Sequence, residues 1–155
     1  MRSIESRIRG GLLWGVLLAM LPLATAAADP PEPAVENNLM KSLQGTWTRQ
    51  QQTPNGVVKI VKVHEGTTTL VTGYDPAGNV YYQHASEFSI DNTGKVDTLT
   101  FFNRKILAGP QQGTLIKEPT TFIVRIIGDQ FFEVYGFLAD DTQPPRVTVW
   151  EREKP

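Results

Sequence analysis

The chain contains no cysteine, and this absence excludes several kinds of site and bond at once. Disulfides, thiolate zinc ligands and cysteine nucleophiles are all excluded, so the fold must be held by its apolar core. An excess of positive charge is also missing, since 15 Lys and Arg stand against 16 Asp and Glu. The sequence therefore offers no electrostatic footprint for nucleic acid, and no nucleic-acid partner is expected.

Motifs for catalysis and for phosphate or metal binding are missing as well. The sequence has no Gly-x-Ser-x-Gly, no phosphate-cradling glycine loop and no Ser-x-x-Lys element. Its only histidines are His64 and His84, and on strands Glu65 and Glu87 would fall on the opposite faces from them. We therefore expect ordinary surface histidines, no metal site, no cofactor and no catalytic residue, and the protein is not expected to be an enzyme.

The first 28 residues have the features of a cleaved leader. A basic stretch at residues 1–10 precedes an apolar run at residues 11–23, which is too short for a membrane span. Ala26 and Ala28 each complete an A-x-A sequence, so cleavage is expected after one of them. Because neither a cysteine nor a twin-arginine motif is present, we expect a Sec-type signal peptide and a protein that is not a lipoprotein. The predicted location is periplasmic or secreted, with no stable membrane insertion after cleavage.

The remaining 127 residues are enough for one domain and too few for two. Residues 29–34 are rich in proline and predict an extended linker. Val35, Leu39 and Leu43 recur at a spacing of four, which predicts a short amphipathic helix. The predicted organisation is a signal peptide at 1–28, a linker and short helix at 29–44, and a β-barrel domain at 45–155.

Everything after the helix reads as β-structure. Runs of β-branched and aromatic residues alternate with turn sequences such as Pro-Asn-Gly and Asp-Asn-Thr-Gly. The pattern predicts strands near 46–52, 57–65, 68–74, 80–90, 96–107, 114–127 (interrupted), 130–138 and 146–153. The segment 103–121 predicts either a broken strand or a flap over one end of the fold. Short sequential connections favour an all-β, up-and-down antiparallel barrel of about eight strands, because closure removes exposed edges.

Two short motifs at the ends of the predicted barrel resemble a known family. Gly45-Thr46-Trp47 opens the first strand after the helix, and Val149-Trp150-Glu151-Arg152 lies on the last strand. This arrangement resembles the lipocalins and the wider calycin group, and also small exported lipocalin-like proteins of planctomycete-type bacteria. The resemblance implies that Trp47 closes one end of the barrel and that Arg152 packs across its indole as structural residues, a favourable cation–π contact.

Two charged residues, Arg125 and Glu133, interrupt apolar strands on either side of the turn at Gly128-Asp129. If the turn has two residues, Arg125 opposes Phe132, and one of the two charges faces the barrel interior. If the loop has three residues, Arg125 and Glu133 become direct cross-strand partners. An inward Arg125 would be a ligand contact, as an arginine is in fatty-acid-binding relatives of the family, with Tyr135 as a second polar contact.

Two functions remain open at this point. The first is an exported lipocalin-like protein that binds a small apolar or amphipathic molecule inside the barrel. The alternative is a module that docks an envelope protein through an apolar outer patch near residues 130–138, with a filled barrel and no small ligand. The number of bulky late aromatics favours a filled interior, because an eight-stranded barrel is only wide enough for its own side chains or one small ligand.

Overall fold

The structure, a computed structural model, describes residues 38–139 and 141–154. The predicted signal peptide at 1–28 and the linker at 29–34 lie outside the described residues. One helix, α1 (Asn38–Leu43), precedes the strands. The strands are β1 (Gly45–Thr53), β2 (Gly56–Glu65), β3 (Thr68–Tyr74), β4 (Val80–Asp91), β5 (Asp97–Ala108), β6 (Leu115–Ile116), β7 (Thr120–Ile127), β8 (Gln130–Tyr135) and β9 (Arg146–Arg152).

Eight of these strands form a closed antiparallel barrel. The order around the wall is β1, β2, β3, β4, β5, β7, β8 and β9, and β9 returns to β1. Strands that follow each other along the chain are neighbours in the wall, and most are connected by short turns, although the longer segment 136–145 separates β8 from β9. The prediction of an all-β, eight-stranded, antiparallel barrel after a short helix is confirmed.

The interrupted strand predicted at 114–127 is divided into β6 and β7. The two-residue β6 pairs with the far half of β5 at Arg104 and Lys105, whereas β7 pairs with its near half, from Asp97 to Phe101. Of the two alternatives for the segment 103–121, the structure therefore shows the broken strand. Both pieces line the same side of β5, so the break leaves the wall in place.

The end of the barrel nearest α1, here called the helix end, is packed with apolar side chains. Partly buried Leu39 and Met40 of α1 pack on the core below them, and Leu43 is buried within it. The buried side chains of this core include Trp47, Phe88, Leu99, Val124, Phe131 and Trp150. The expectation of a filled interior is met at this end.

The barrel closes between β1 and β9 through few contacts. The two strands pair only at Trp47↔Arg152 and Thr48↔Glu151, close to the helix end. The other strand–strand junctions of the eight-stranded wall involve at least five residue pairs each. The β1–β9 seam is therefore joined at one end and unpaired along the rest of its length.

Candidate ligand cavity

A cavity of about 520 Å³ lies in the barrel interior on the side away from α1. Tyr81, Glu118 and Arg146 line it, and they lie at strand ends remote from the helix. The cavity therefore opens at this end, here called the open end. Its apolar lining comes from Ile60, Val71, Phe101, Phe122 and Trp150. The expectation of an interior filled throughout is thus wrong for this half of the barrel.

A buried ion pair lies in the cavity wall. Lys62 of β2 and Glu133 of β8 are 5% and 4% exposed, and the Lys62 ammonium donates to Oε1 of Glu133. The second carboxylate oxygen, Oε2, accepts a hydrogen bond of 2.7 Å from the indole Nε1 of Trp150. Both oxygens of Glu133 are therefore engaged, as a buried carboxylate requires.

Aromatic rings surround the ammonium group of Lys62. Its Nζ lies 4.2 Å from the ring centroid of Trp150, 5.2 Å from that of Phe101 and 5.5 Å from that of Phe131. Burial lowers the pKa of Lys62, and the neighbouring Glu133 carboxylate opposes that shift. The faces of the rings attract the cation and compensate part of its lost hydration.

Three arginines join Lys62 in lining the cavity: Arg49, Arg104 and Arg146. The guanidinium carbon Cζ of Arg49 lies 5.1 Å from the centroid of the Trp150 ring, and that of Arg146 lies 5.3 Å from the centroid of the Tyr135 ring. The Nε atoms of Arg49 and Arg104 are shielded from solvent and have no hydrogen-bond partner among the described residues. Burial lowers the pKa of Arg49, opposed by Glu133.

A β-bulge directs Arg104 into the cavity. Phe102 pairs with Glu87 and Lys105 pairs with Ala85, so β5 has one more residue than β4 across this interval. The irregularity coincides with Asn103, whose φ of 52° lies in the left-handed region. If side chains alternated strictly from the inward Phe101, Arg104 would lie on the outer face. The extra residue shifts the alternation by one position, so Arg104 faces the cavity instead.

Both histidines lie on the interior side of the wall, contrary to the expectation of surface histidines. His64 is 2% exposed at the helix end, with its Nδ1 2.7 Å from Thr69 Oγ1. His84 lines the cavity. Burial is the main cause that lowers the pKa of His64 to about 3 and that of His84 to about 4. Lys62 adds to both shifts, and Arg104 adds to the second, because each cation disfavours a second positive charge nearby.

Of the residues predicted as ligand contacts, Arg125 lies on the outer face. The turn has two residues, so Arg125 pairs with Phe132 and Glu133 pairs with Val124. Arg125 is exposed, whereas Val124 and Glu133 are buried. The inward charge on this hairpin is thus Glu133, and Arg125 does not line the cavity.

Tyr135, the second predicted ligand contact, is half-buried and shares the inward parity of Phe131 and Glu133. Its ring packs against Phe122, with centroids 5.6 Å apart, and under the guanidinium of Arg146. Both of these neighbours line the cavity. Tyr135 therefore supports the cavity wall from behind its lining residues.

Trp47 and Arg152 meet at the helix end. The Cζ of Arg152 lies 4.1 Å from the Trp47 ring centroid, and its guanidinium donates to the carbonyl oxygens of Ser42 and Gln44. The Trp47 indole Nε1 donates to the carbonyl oxygen of Leu43 at 2.8 Å. These contacts join the first strand, the last strand and the end of α1.

Sequence reasoning overlooked Lys62, although a signal for it was present. In β2, Val58, Ile60, Lys62 and His64 share one parity, and all four are buried. A lysine in phase with two aliphatic residues indicates an inward cation with a buried partner. Glu133, which interrupts the apolar β8, is that partner.

Within residues 38–139 and 141–154, no group of three or more His, Asp or Glu side chains is placed to hold a metal ion. Over the same residues, no helix has the length and apolar character that a membrane-spanning helix needs.

Comparison of the chain with models of known protein families, with curated proteins and with solved structures finds no match.

Proposed function

We propose that the protein binds a small amphipathic molecule in the open half of its barrel. The observation that supports this most directly is the cavity of about 520 Å³, which opens at one end and combines apolar side chains with polar and charged ones. Ligand sites in proteins are concave, mostly apolar and typically about 300–1,000 Å³ in volume. A barrel whose interior served only as its core would be filled by its own side chains.

A neutral fluorescent probe, N-phenyl-1-naphthylamine, tests the proposal. The protein, expressed from the full-length coding sequence, should enhance the fluorescence of the probe with saturation at one molecule per chain. Thr148→Trp should reduce this binding at least tenfold, because Thr148 lines the cavity and the added indole would occupy it.

Val149→Trp is the matched control for this experiment. Val149 is the next residue on the same strand, and its side chain is exposed on the outer face. The same added bulk should leave probe binding unchanged there. Absence of any saturable binding, or equal loss in both variants, would contradict the proposal.

We further propose that the chain is an exported lipocalin-like protein, periplasmic or secreted, that loses residues 1–28. The supports are the basic and apolar pattern of those residues, the barrel, and the Arg152–Trp47 contact that the family resemblance implies. Mass spectrometry of protein recovered from cell fractions would test export. A mature chain beginning at residue 27 or 29 outside the cytoplasm is expected, and an intact chain inside it would contradict the proposal.

A second candidate function, docking of an envelope protein, has support from an apolar patch on the outer wall. Cross-strand pairing places Ile123, Val134 and Val147 in one row and Phe132 and Val149 in the next. Val147 is 60% exposed. Exposed apolar patches mark interaction surfaces in soluble proteins. Val134→Glu with Val149→Glu, two outer-face positions that do not line the cavity, should abolish co-purification of a partner and leave probe binding intact. A partner retained by this variant would contradict docking here.

A further inference from the structure

We propose that the molecule bound in the cavity carries a dianionic group, a phosphate monoester or a dicarboxylate, on an apolar body. This inference rests on the proposed function and names the class of ligand for the same site.

The first support is the balance of charges around the cavity. Four cationic side chains line it, Arg49, Lys62, Arg104 and Arg146, against the carboxylates of Glu118 and Glu133. The remaining ionisable lining side chains, which are those of Tyr81, Tyr82 and His84, add no positive charge at neutral pH. The lining therefore has an excess of two positive charges, which a dianion would neutralise.

The second support is that the carboxylates leave the arginines without ion-pair partners. Glu133 accepts from Lys62 with one oxygen and from Trp150 with the other, and Glu118 is exposed at the open end. Three ion pairs occur among the described residues, and none of them contains Arg49, Arg104 or Arg146. Arg146 is exposed, but Arg49 and Arg104 are partly buried, and partly buried guanidinium groups usually have a charge partner. A ligand anion is the missing counterpart of these two.

The third support is the way in which the arginines are held. The guanidinium carbons of Arg49 and Arg146 lie over the rings of Trp150 and Tyr135, 5.1 Å and 5.3 Å from the ring centroids. A cation–π contact of this kind holds a guanidinium without using its N–H donors as hydrogen bonds do, and those donors suit carboxylate and phosphate oxygens. The buried Nε groups of Arg49 and Arg104 are donors without a partner among the described residues. Arg49 and Arg146 come from the neighbouring strands β1 and β9, and Arg104 comes from β5 on the other side of the barrel, so the cavity has arginines on two sides.

Four naphthalene compounds of similar size separate the contribution of ligand charge to the binding affinity from that of apolar contact. These are 1-naphthol (neutral), 1-naphthoate (one charge), and 1-naphthyl phosphate and 1,4-naphthalenedicarboxylate (two charges), titrated by calorimetry at pH 7.5 into protein expressed from the full-length coding sequence. Both dianions should bind at least about tenfold more tightly than naphthoate, and naphthoate more tightly than naphthol. If only one of the two dianions binds this much more tightly than naphthoate, the proposed ligand class is restricted to that anionic group, a phosphate monoester or a dicarboxylate.

Substitutions at the open half test the residues. Arg104→Gln and Arg146→Gln should each weaken the binding of the dianion about tenfold or more, and change naphthol binding less than twofold. Arg125→Gln is the control, because it removes the same charge from the outer face. Thermal unfolding of each variant verifies that the barrel is intact, and Arg49→Gln provides a third position if one variant fails to fold.

The outcomes separate this inference from the proposed function. If N-phenyl-1-naphthylamine binds but the dianions gain nothing over naphthol, or if Arg125→Gln matters as much as the cavity variants, the dianion inference is overturned and the cavity remains a binding site. If neither the neutral probe nor any naphthalene binds, both proposals fail.

Discussion

Lys62 and Glu133 form an ion pair inside the barrel that connects β2 to β8, two strands that are not neighbours in the wall. The side chains of Lys62 and Glu133 are only 6% and 5% exposed. Together with the indole of Trp150, the pair fixes three strands around the floor of the cavity. Removing one charge leaves the other buried without a counterion, which costs far more than the pair itself contributes.

We predict that Glu133→Gln destabilises the protein by about 3–5 kcal/mol, because Lys62 would remain charged and buried. Urea unfolding followed by tryptophan fluorescence measures the change. The double variant Lys62→Met with Glu133→Gln should recover most of that loss, since no uncompensated charge remains. A single variant as stable as the unmodified protein would show that the pair is not buried as described.

At the helix end, we predict that Arg152→Ala lowers the free energy of unfolding by about 2–4 kcal/mol. The substitution removes a cation–π contact with Trp47 and charge-assisted hydrogen bonds to Ser42 and Gln44. Equilibrium denaturation measures the loss. Lys154→Ala breaks only an exposed ion pair with Asp129 and should cost less than about 1 kcal/mol. Equal effects of the two substitutions would contradict a structural role for Arg152.

From the lowered pKa values of His64 and His84, we predict that the folded protein loses stability in mild acid. Their ordinary pKa is about 6.5, and in the folded protein it is lowered to about 3 for His64 and about 4 for His84. Between pH 6.5 and these values, the unfolded chain binds protons that the folded chain does not, so stability falls as pH falls.

Where both histidines are protonated only in the unfolded chain, the slope approaches about 1.4 kcal/mol per pH unit for each. Urea midpoints measured from pH 7 to pH 4.5 give this slope. His64→Gln should flatten it by about half, and an unchanged slope in that variant would contradict the burial of His64. Carboxylates whose pKa is lowered by hydrogen bonds in turns, Asp75 and Asp91, lose their contribution at lower pH.

Gly136 connects β8 to the loop before β9, and we predict that Gly136→Ala is severely destabilising. A Cβ atom there would lie 2.5 Å from the Cα of Pro145, at a φ of 90°. Gly113→Ala is the control, since its φ of 88° is similar but no atom lies within 4 Å of the added carbon. Backbone strain alone should cost about 1–3 kcal/mol at Gly113. Thermal unfolding should show a clearly larger loss at Gly136, and equal losses would contradict the close approach of Pro145.

Most of the wall follows from local sequence. Turn sequences and alternating runs predicted seven of the strands within a few residues, because hairpin turns and pleat periodicity are local properties. The division of 114–127 was also indicated by its glycine and proline content. The strand register around the turn at Gly128-Asp129 could not be predicted from the sequence, which allowed a loop of two or of three residues. That one-residue difference decides whether Arg125 or Glu133 faces inward.

The cavity was harder to predict than the wall. Arg104 faces inward because of a bulge at Asn103, and an extra residue on one strand is invisible to a strict period of two. Arg49 lies in a polar run of β1, which gives no contrast between the two faces. Arg146 lies on β9, where Val147 and Val149 alternate with it but are exposed, so the polar residues take the inward positions that apolar ones usually occupy. The pairing of Lys62 with Glu133 joins residues 71 positions apart in sequence, and single-sequence patterns carry no information on such distances.

The β1–β9 seam limits how rigid the cavity can be. Only two residue pairs near the helix end join these strands, and Arg49, Thr148 and Arg146 lie beyond them, on the unpaired part. Moving the two strands apart at the open end breaks no backbone hydrogen bond between them, whereas it would break several at any other junction of the barrel. The β1–β9 seam is therefore the line along which backbone pairing constrains the open end least, and we expect the barrel to widen there first.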